Sequence, residues 1–204
     1  MRLSRAQCPR CLRPQSACIC QWITPTPNQA EVLVLQHPLE VHQAKGSARL
    51  LHLSLEKSEL ITGECFDQQA LHGWLHAKGR VNVLLYPATP EAEAEAAPQP
   101  LTAVPADPAQ VRLVVLDGTW RKSLKMLHLN PMLHQLPRLA LQTSAPSQYL
   151  IRKAHRPDQR STLEATCLAL QQLESAPERY TPLLAAFDTF VASLMRASHA
   201  PRQA

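Results

Sequence analysis

A chain of 204 residues with 45 % hydrophobic content is long enough to bury a full core and short enough for one domain with a small appendage. No apolar run approaches the roughly 18–20 residues of a membrane-spanning helix, and the opening "MRLSRAQCPRC" lacks the apolar stretch of a secretory signal, so a cytoplasmic protein with reduced thiols is expected. The net charge of +5 is segregated: residues 121–160 carry eight basic side chains against Asp158 alone, and the first 22 residues add Arg2, Arg5, Arg10 and Arg13 with no acid. Such clustering suits a polyanionic partner, although a solvated basic face reads the same way.

The first feature along the chain is Cys8, Cys11, Cys18 and Cys20, spaced C-x2-C-x6-C-x-C. Four close thiols in a reducing compartment favour a structural zinc site: one pair supplies a knuckle and the other closes a tetrahedron. Unligated thiols are the plain alternative, and a redox pair is disfavoured because no α/β pattern surrounds it. Residues 1–26 are therefore expected to form a small zinc module, with residues 27–204 as the main domain.

"EVLVLQHP" (31–38) predicts a buried strand stopped by Pro38, "KGSARLLHLSL" (45–55) a helix, and "ELIT" (59–62) a short strand. "DQQALHGWLHAKG" (67–79) predicts a helix ending at a glycine cap, and "VNVLLYP" (81–87) a second buried strand. Residues 88–110, rich in Ala, Pro and Glu, read as a long flexible loop. "VRLVVLD" (111–117) is a third strand, with a helix from about Trp120; "RLALQT" (138–143) is a fourth strand, and 161–174 and 183–196 are helices. Cys65 and Cys167 carry no chemistry in this reading, Cys167 sharing a helical core stripe with Leu163 and Leu170.

Apolar runs without alternation indicate strands buried on both faces, and their alternation with helices indicates an α/β fold with a mostly parallel sheet. Ligands of such sheets sit at the carboxyl ends of the strands. Gln36-His37-Pro38, Tyr86-Pro87 and Asp117-Gly118-Thr119-Trp120 all fall there. The last group reads structurally as a strand-to-helix turn, Gly118 supplying an unusual backbone angle and Thr119 an N-cap. Arg121 and Lys122 in the first helical turn oppose the helix dipole, and a bound anion would offset them. Asp117 could hold a ligand or accept a proton, and Trp120 offers a flat face to a base or sulfonium. Ser161-Thr162-Leu163-Glu164 matches the capping box S-x-x-E, and the same helix start could receive a carboxylate.

These motifs together resemble a known family. "LDGTWRKSLKML" carries the D-x-T-W pattern of the DTW-domain proteins, and the cysteine cluster, "LQHPLE", "KGSARLL", "LLYP", "LPRLAL", "YLIRK" and "STLEA" follow in that family's order over residues 8–174. The resemblance implies a SPOUT-like α/β fold with a trefoil knot. It also implies a tRNA-uridine aminocarboxypropyltransferase, which moves the 3-amino-3-carboxypropyl group of S-adenosylmethionine to N3 of a uridine, in bacteria in the variable loop. On that basis Asp117, Thr119 and Trp120 are the catalytic candidates. His37, Leu85, Tyr86, Pro87, Asp117, Gly118, Ser161, Thr162 and Glu164 are the candidates for holding S-adenosylmethionine. Arg10, Arg13, Lys45, Arg121, Lys122, Arg152 and Lys153 are candidates for tRNA contact, and the four cysteines for structural zinc. Neither a membrane nor DNA is expected as a partner. Two rival readings are an S-adenosylmethionine-dependent RNA methyltransferase and a non-catalytic zinc-dependent RNA-binding protein.

Overall fold

Five strands, β1 (Glu31–Gln36), β2 (Ser58–Thr62), β3 (Val81–Leu85), β4 (Val111–Asp117) and β5 (Arg138–Leu139), form one sheet in the order β2-β1-β4-β3-β5. Every pairing in it is parallel, as the unalternating apolar runs predict. The computed structural model describes residues 6–87, 105–141 and 160–199. Arg152, Lys153 and most of the expected loop lie outside that set. The helices are α1 (Ala48–Ser54), α2 (Gln68–His76), α3 (Trp120–Leu129), α4 (Pro131–His134), α5 (Thr162–Glu174) and α6 (Thr181–His199).

Alternate residues of each central strand serve two separate cores. Val32, Val34, Val83, Leu113 and Val115 face α1, α5 and α6, together with Cys8, Cys11 and Ile19 of the N-terminal segment. Leu33, Leu35, Leu84, Val114 and Leu116 face α2, α3 and α4. Burial on both faces is why all seven residues of β4 are buried, including the charged Arg112 and Asp117. Trp22 packs on Phe190 of α6 with ring centroids 5.0 Å apart, which ties the four-cysteine segment to the first of these layers.

Most expected elements form near their expected bounds, with physical reasons for the differences. β5 has two residues, because only Arg138 and Leu139 pair with β3. Asp67 caps α2 by accepting from the Ala70 amide at 2.8 Å. That helix closes through a 3-10 turn in which Lys78 and Gly79 both take positive φ, 62° and 60°. A Pro at the first helical position starts α4, a four-residue helix too short to leave a periodic signal.

The amino end of the β1–β4 pair holds an ion cluster that the sequence reading missed. Glu31 and Arg112 are register partners, and Arg112 Nη2 donates to Glu31 Oε1 at 2.7 Å. Arg80 and Lys78 reach Glu31 Oε2 at 2.6 and 3.1 Å. Arg112 also donates to the carbonyls of Trp74 and Ala77 at the end of α2. Burial acts against the Glu31 carboxylate, but the hydrogen bonds from Arg112 and Lys78 and the nearby charges outweigh it and hold its pKa below the ordinary value. The cluster locks the end of the sheet away from the candidate site, and so leaves the carboxyl end for chemistry.

Candidate functional site

β1 and β4 run in register up to Gln36 and Asp117, which places those two side chains together where both strands end. Asp117 is 6 % exposed, so its carboxylate needs protein donors. Gln36 Nε2 donates to Oδ2 at 2.8 Å, and the Thr162 hydroxyl, in the first turn of α5, donates to Oδ1 at 2.6 Å. Three elements thus converge on one carboxylate. Burial raises its pKa above the usual carboxylate range; the Thr162 and Gln36 donors pull it back, Glu40 raises it and Lys122 lowers it. Each oxygen accepts one bond here and has a second lone pair, so Asp117 can still accept from a ligand.

The turn after Asp117 works differently from the sequence expectation. Gly118 is not among the positive-φ residues. Proximity favours it: a Cβ there would lie 3.1 Å from Lys122 Cβ and 3.3 Å from Ser123 Oγ, so a side chain would need the first turn of α3 to give by a few tenths of an ångström. Thr119 occupies the N-cap position of α3, but its side chain makes no capping bond. Trp120 is half exposed and stacks on the buried Tyr86 at the end of β3, ring centroids 5.1 Å apart and planes 22° apart. The Arg138 guanidinium lies 5.4 Å from the Tyr86 ring centroid. Leu85 is half-buried and Pro87 exposed beside this stack.

The loops after β1 and β2 each meet α3 through an ion pair. Lys122 Nζ donates to Glu40 Oε1 at 2.6 Å, and Lys125 Nζ to Glu64 Oε2 at 3.0 Å. Glu40 thus offsets Lys122, one of the two first-turn cations that oppose the dipole of α3, while Arg121 stays exposed. His37 is buried; the Leu39 amide donates to its Nδ1 at 3.1 Å, so Nε2 carries the proton and donates to Glu64 Oε1 at 2.9 Å. His37 and Lys125 together hold the Glu64 carboxyl below its ordinary range. Sequence reasoning placed Gln36 at a ligand-bearing strand end without a role, and missed Glu40 and Glu64 as site residues. Glu40 follows His37 by only three positions, while the pairing of Gln36 with Asp117 is identified only by strand register.

Ser161 and Glu164 form the expected capping box: Glu164 N donates to Ser161 Oγ at 3.2 Å and Ser161 N to Glu164 Oε2 at 2.8 Å. Leu163 N donates to Ser47 Oγ at 3.2 Å. Two amides of the first turn of α5 are therefore already used within the protein, which narrows what that helix start can offer a carboxylate.

The four cysteine sulfurs lie within 4.8 Å of one another, with Cys8–Cys20 at 3.6 Å and Cys11–Cys18 at 3.8 Å. A tetrahedral zinc with bonds of about 2.3 Å requires sulfurs roughly 3.8 Å apart, so the donor set fits that ion. The Cys11 and Arg10 backbone amides favour the Cys8 thiolate and lower its pKa to about 6, whereas burial and the neighbouring sulfurs raise Cys20 to about 12. Four sulfurs packed this closely are a donor set that a divalent cation would stabilise. Cys167 is fully buried, as expected, and Cys65 is exposed.

A family model described as DTW domain matches residues 5–195. The chain belongs to the DTW-domain family. Similar proteins include tRNA-uridine aminocarboxypropyltransferase 2 of Drosophila melanogaster, 30 % identical over 180 residues that cover 85 % of this chain and 69 % of the fly protein. The proteins of that name from Macaca fascicularis and Mus musculus are 29 % and 28 % identical; each match covers 83 % of this chain and 57 % of the mammalian protein. The chain thus spans little more than half the length of those two relatives. No solved structure matches it.

Within this DTW domain the motif residues gather at one end of the sheet, where Asp117, Gln36, Thr162, Tyr86 and Trp120 share the carboxyl ends of β1, β3 and β4. The basic candidates divide. Arg10, Lys45 and Arg121 are exposed, Lys122 is paired with Glu40, and Arg13 is half-buried against backbone carbonyls. No helix among the described residues is long and apolar enough to cross a membrane.

Proposed function

We propose that this DTW-domain protein transfers the 3-amino-3-carboxypropyl group of S-adenosylmethionine to N3 of a tRNA uridine, in the variable loop. The observation that carries the reading is the D-x-T-W carboxylate, buried and held by Gln36 and Thr162 beside an exposed tryptophan stack, in a chain whose relatives bear that enzymatic name. A sulfonium donor supplies an activated carbon and a neutral leaving group, so positioning outweighs activation. The transfer forms a bond from N3 to the γ-carbon, breaks the γ-carbon–sulfur bond and releases methylthioadenosine. The uridine N3 proton has to leave, and Asp117 is the base that takes it or orients the ring for its loss.

The chain's own residues divide the remaining work. The Tyr86–Trp120 stack, with Leu85, Pro87 and Gly118, offers a flat apolar wall to the adenosine or the target base. Thr162 positions Asp117, with Ser161 and Glu164 fixing the helix turn that carries it. Thr119, whose side chain makes no capping bond, is a catalytic candidate beside Asp117. Arg10, Lys45 and Arg121, with Arg152 and Lys153, supply phosphate contacts. Zinc on Cys8, Cys11, Cys18 and Cys20 is structural and takes no part in the reaction. The reading includes a SPOUT-like path with a trefoil knot, a zinc module over 1–26 ahead of a catalytic domain over 27–204, and a cytoplasmic place of action.

Identifying the small product of a reaction with S-adenosylmethionine and unmodified tRNA separates the readings. Methylthioadenosine supports the proposal. S-adenosylhomocysteine would replace it with methyl transfer, and an unconsumed donor would leave a non-catalytic RNA-binding protein.

A further inference from the structure

The geometry points to Arg13 as a positioning residue through which the four-cysteine knuckle holds the start of α5, and with it Asp117, in place. The knuckle turns at Leu12, whose φ of 57° reverses the chain, while Leu12 N donates to Cys8 O at 2.9 Å and Cys8 N to Arg13 O at 2.7 Å. Arg13 therefore leaves the metal site in a fixed direction. Its half-buried guanidinium is bound by backbone carbonyls. Nη1 donates to Ala44 O at 3.0 Å, and Nη2 donates to Gln43 O at 3.0 Å and Gly46 O at 3.2 Å. One planar fork gathers three carbonyls of the β1–α1 loop, a task that suits guanidinium and not ammonium.

That loop is already folded on itself, Gly46 N donating to Gln43 O at 2.9 Å and Gln43 N to Glu40 O at 3.1 Å. Arg49 Nε supplies a second tie by donating to Cys11 O at 3.3 Å. The residue after Gly46 is the buried Ser47, whose hydroxyl oxygen accepts the Leu163 amide at 3.2 Å. Leu163 follows Thr162, the donor to Asp117 Oδ1. Knuckle, guanidinium, loop, serine, helix start and carboxylate form one unbroken series of contacts.

Arg13→Lys keeps the charge and removes the fork. Its zinc content, amide hydrogen exchange over residues 43–47 and 161–164, tRNA affinity and single-turnover rate are compared with those of the intact protein. The expected result is full zinc content and unchanged tRNA affinity, with exchange in both segments and the loss of turnover each changing about tenfold. Unchanged exchange over 161–164 would overturn the proposal. So would normal exchange together with an Arg13→Ala protein that loses tRNA affinity and part of its salt dependence, since Arg13 would then serve RNA. Should Arg13→Lys shed zinc, Ser47→Ala decides: full zinc and normal exchange over 43–46, with faster exchange at Leu163 and slower turnover, sustain the coupling, and wild-type behaviour at both removes it. The activity arm rests on the proposed transfer, whereas the exchange arm does not; coupled exchange in a protein that never consumes S-adenosylmethionine would sink the proposed function and leave the coupling intact.

Discussion

Asp117 sits in a place that disfavours its charge, and two donors are what make the charge tenable there. A carboxyl raised by burial contributes stability while protonated and loses that contribution as pH rises through its folded-state pKa. Asp117→Asn should therefore leave stability at neutral pH equal or slightly higher, and that difference should close as pH falls. Turnover should drop by ~10²–10⁴, the usual worth of a positioned acid or base, while S-adenosylmethionine affinity changes much less. Urea titrations alongside single-turnover rates check both halves, and a protein that loses stability and cofactor affinity together would make Asp117 a ligand holder. Thr162→Val removes the 2.6 Å donor and leaves the shape. Because that donor favours the ionised form, the acid limb of the pH–rate profile should move to higher pH; an unmoved limb would show that the titrating group is elsewhere.

At the scale of elements, the β1–β4 pair is fastened at both ends by side chains in register. Glu31 meets Arg112 at one end and Gln36 meets Asp117 at the other. Glu31→Gln would leave Arg112, only 2 % exposed, without its carboxylate, and should cost about 3 kcal/mol at neutral pH. Since the Glu31 pKa is depressed in the fold, its contribution is present above the ordinary glutamate value and is lost as pH falls through the folded-state value; the gap between the two proteins should narrow below about pH 4. Equal midpoints at pH 7 would show the cluster to be energetically idle. The same elements show what a sequence conveys. β4 was readable to the residue, because a strand buried on both faces is a continuous apolar run ending at the acid. The capping box was readable because its two partners are three residues apart. The role of Gln36 was not, since it depends on which strand lies beside β1, and that is a property of the assembled sheet. Nor was the role of Arg13, because a basic residue in a basic segment looks like a phosphate contact until the carbonyls around it are seen.

At the scale of the molecule, the N-terminal segment is part of the core as well as a candidate metal site: Cys8, Cys11 and Ile19 pack in the same cluster as α1, α5 and α6. Stripping the metal with a chelator should therefore lower the melting temperature by about 10 °C, equivalent to roughly 3 kcal/mol for a chain of this size, and readded zinc should restore it. Metal analysis of the freshly reduced protein should find about one zinc per chain. No bound metal, or a chelator without effect, would leave the cysteines as packing residues.

The central claim is that the DTW site joins an aminocarboxypropyl group to uridine. Its most direct test is nucleoside mass spectrometry of unmodified tRNA after incubation with the zinc-loaded protein and S-adenosylmethionine. Aminocarboxypropyluridine is expected from the variable loop, formed by the intact protein and nearly absent with Asp117→Asn. A methylated nucleoside, or uridine left unchanged by a folded, zinc-loaded protein, would contradict it.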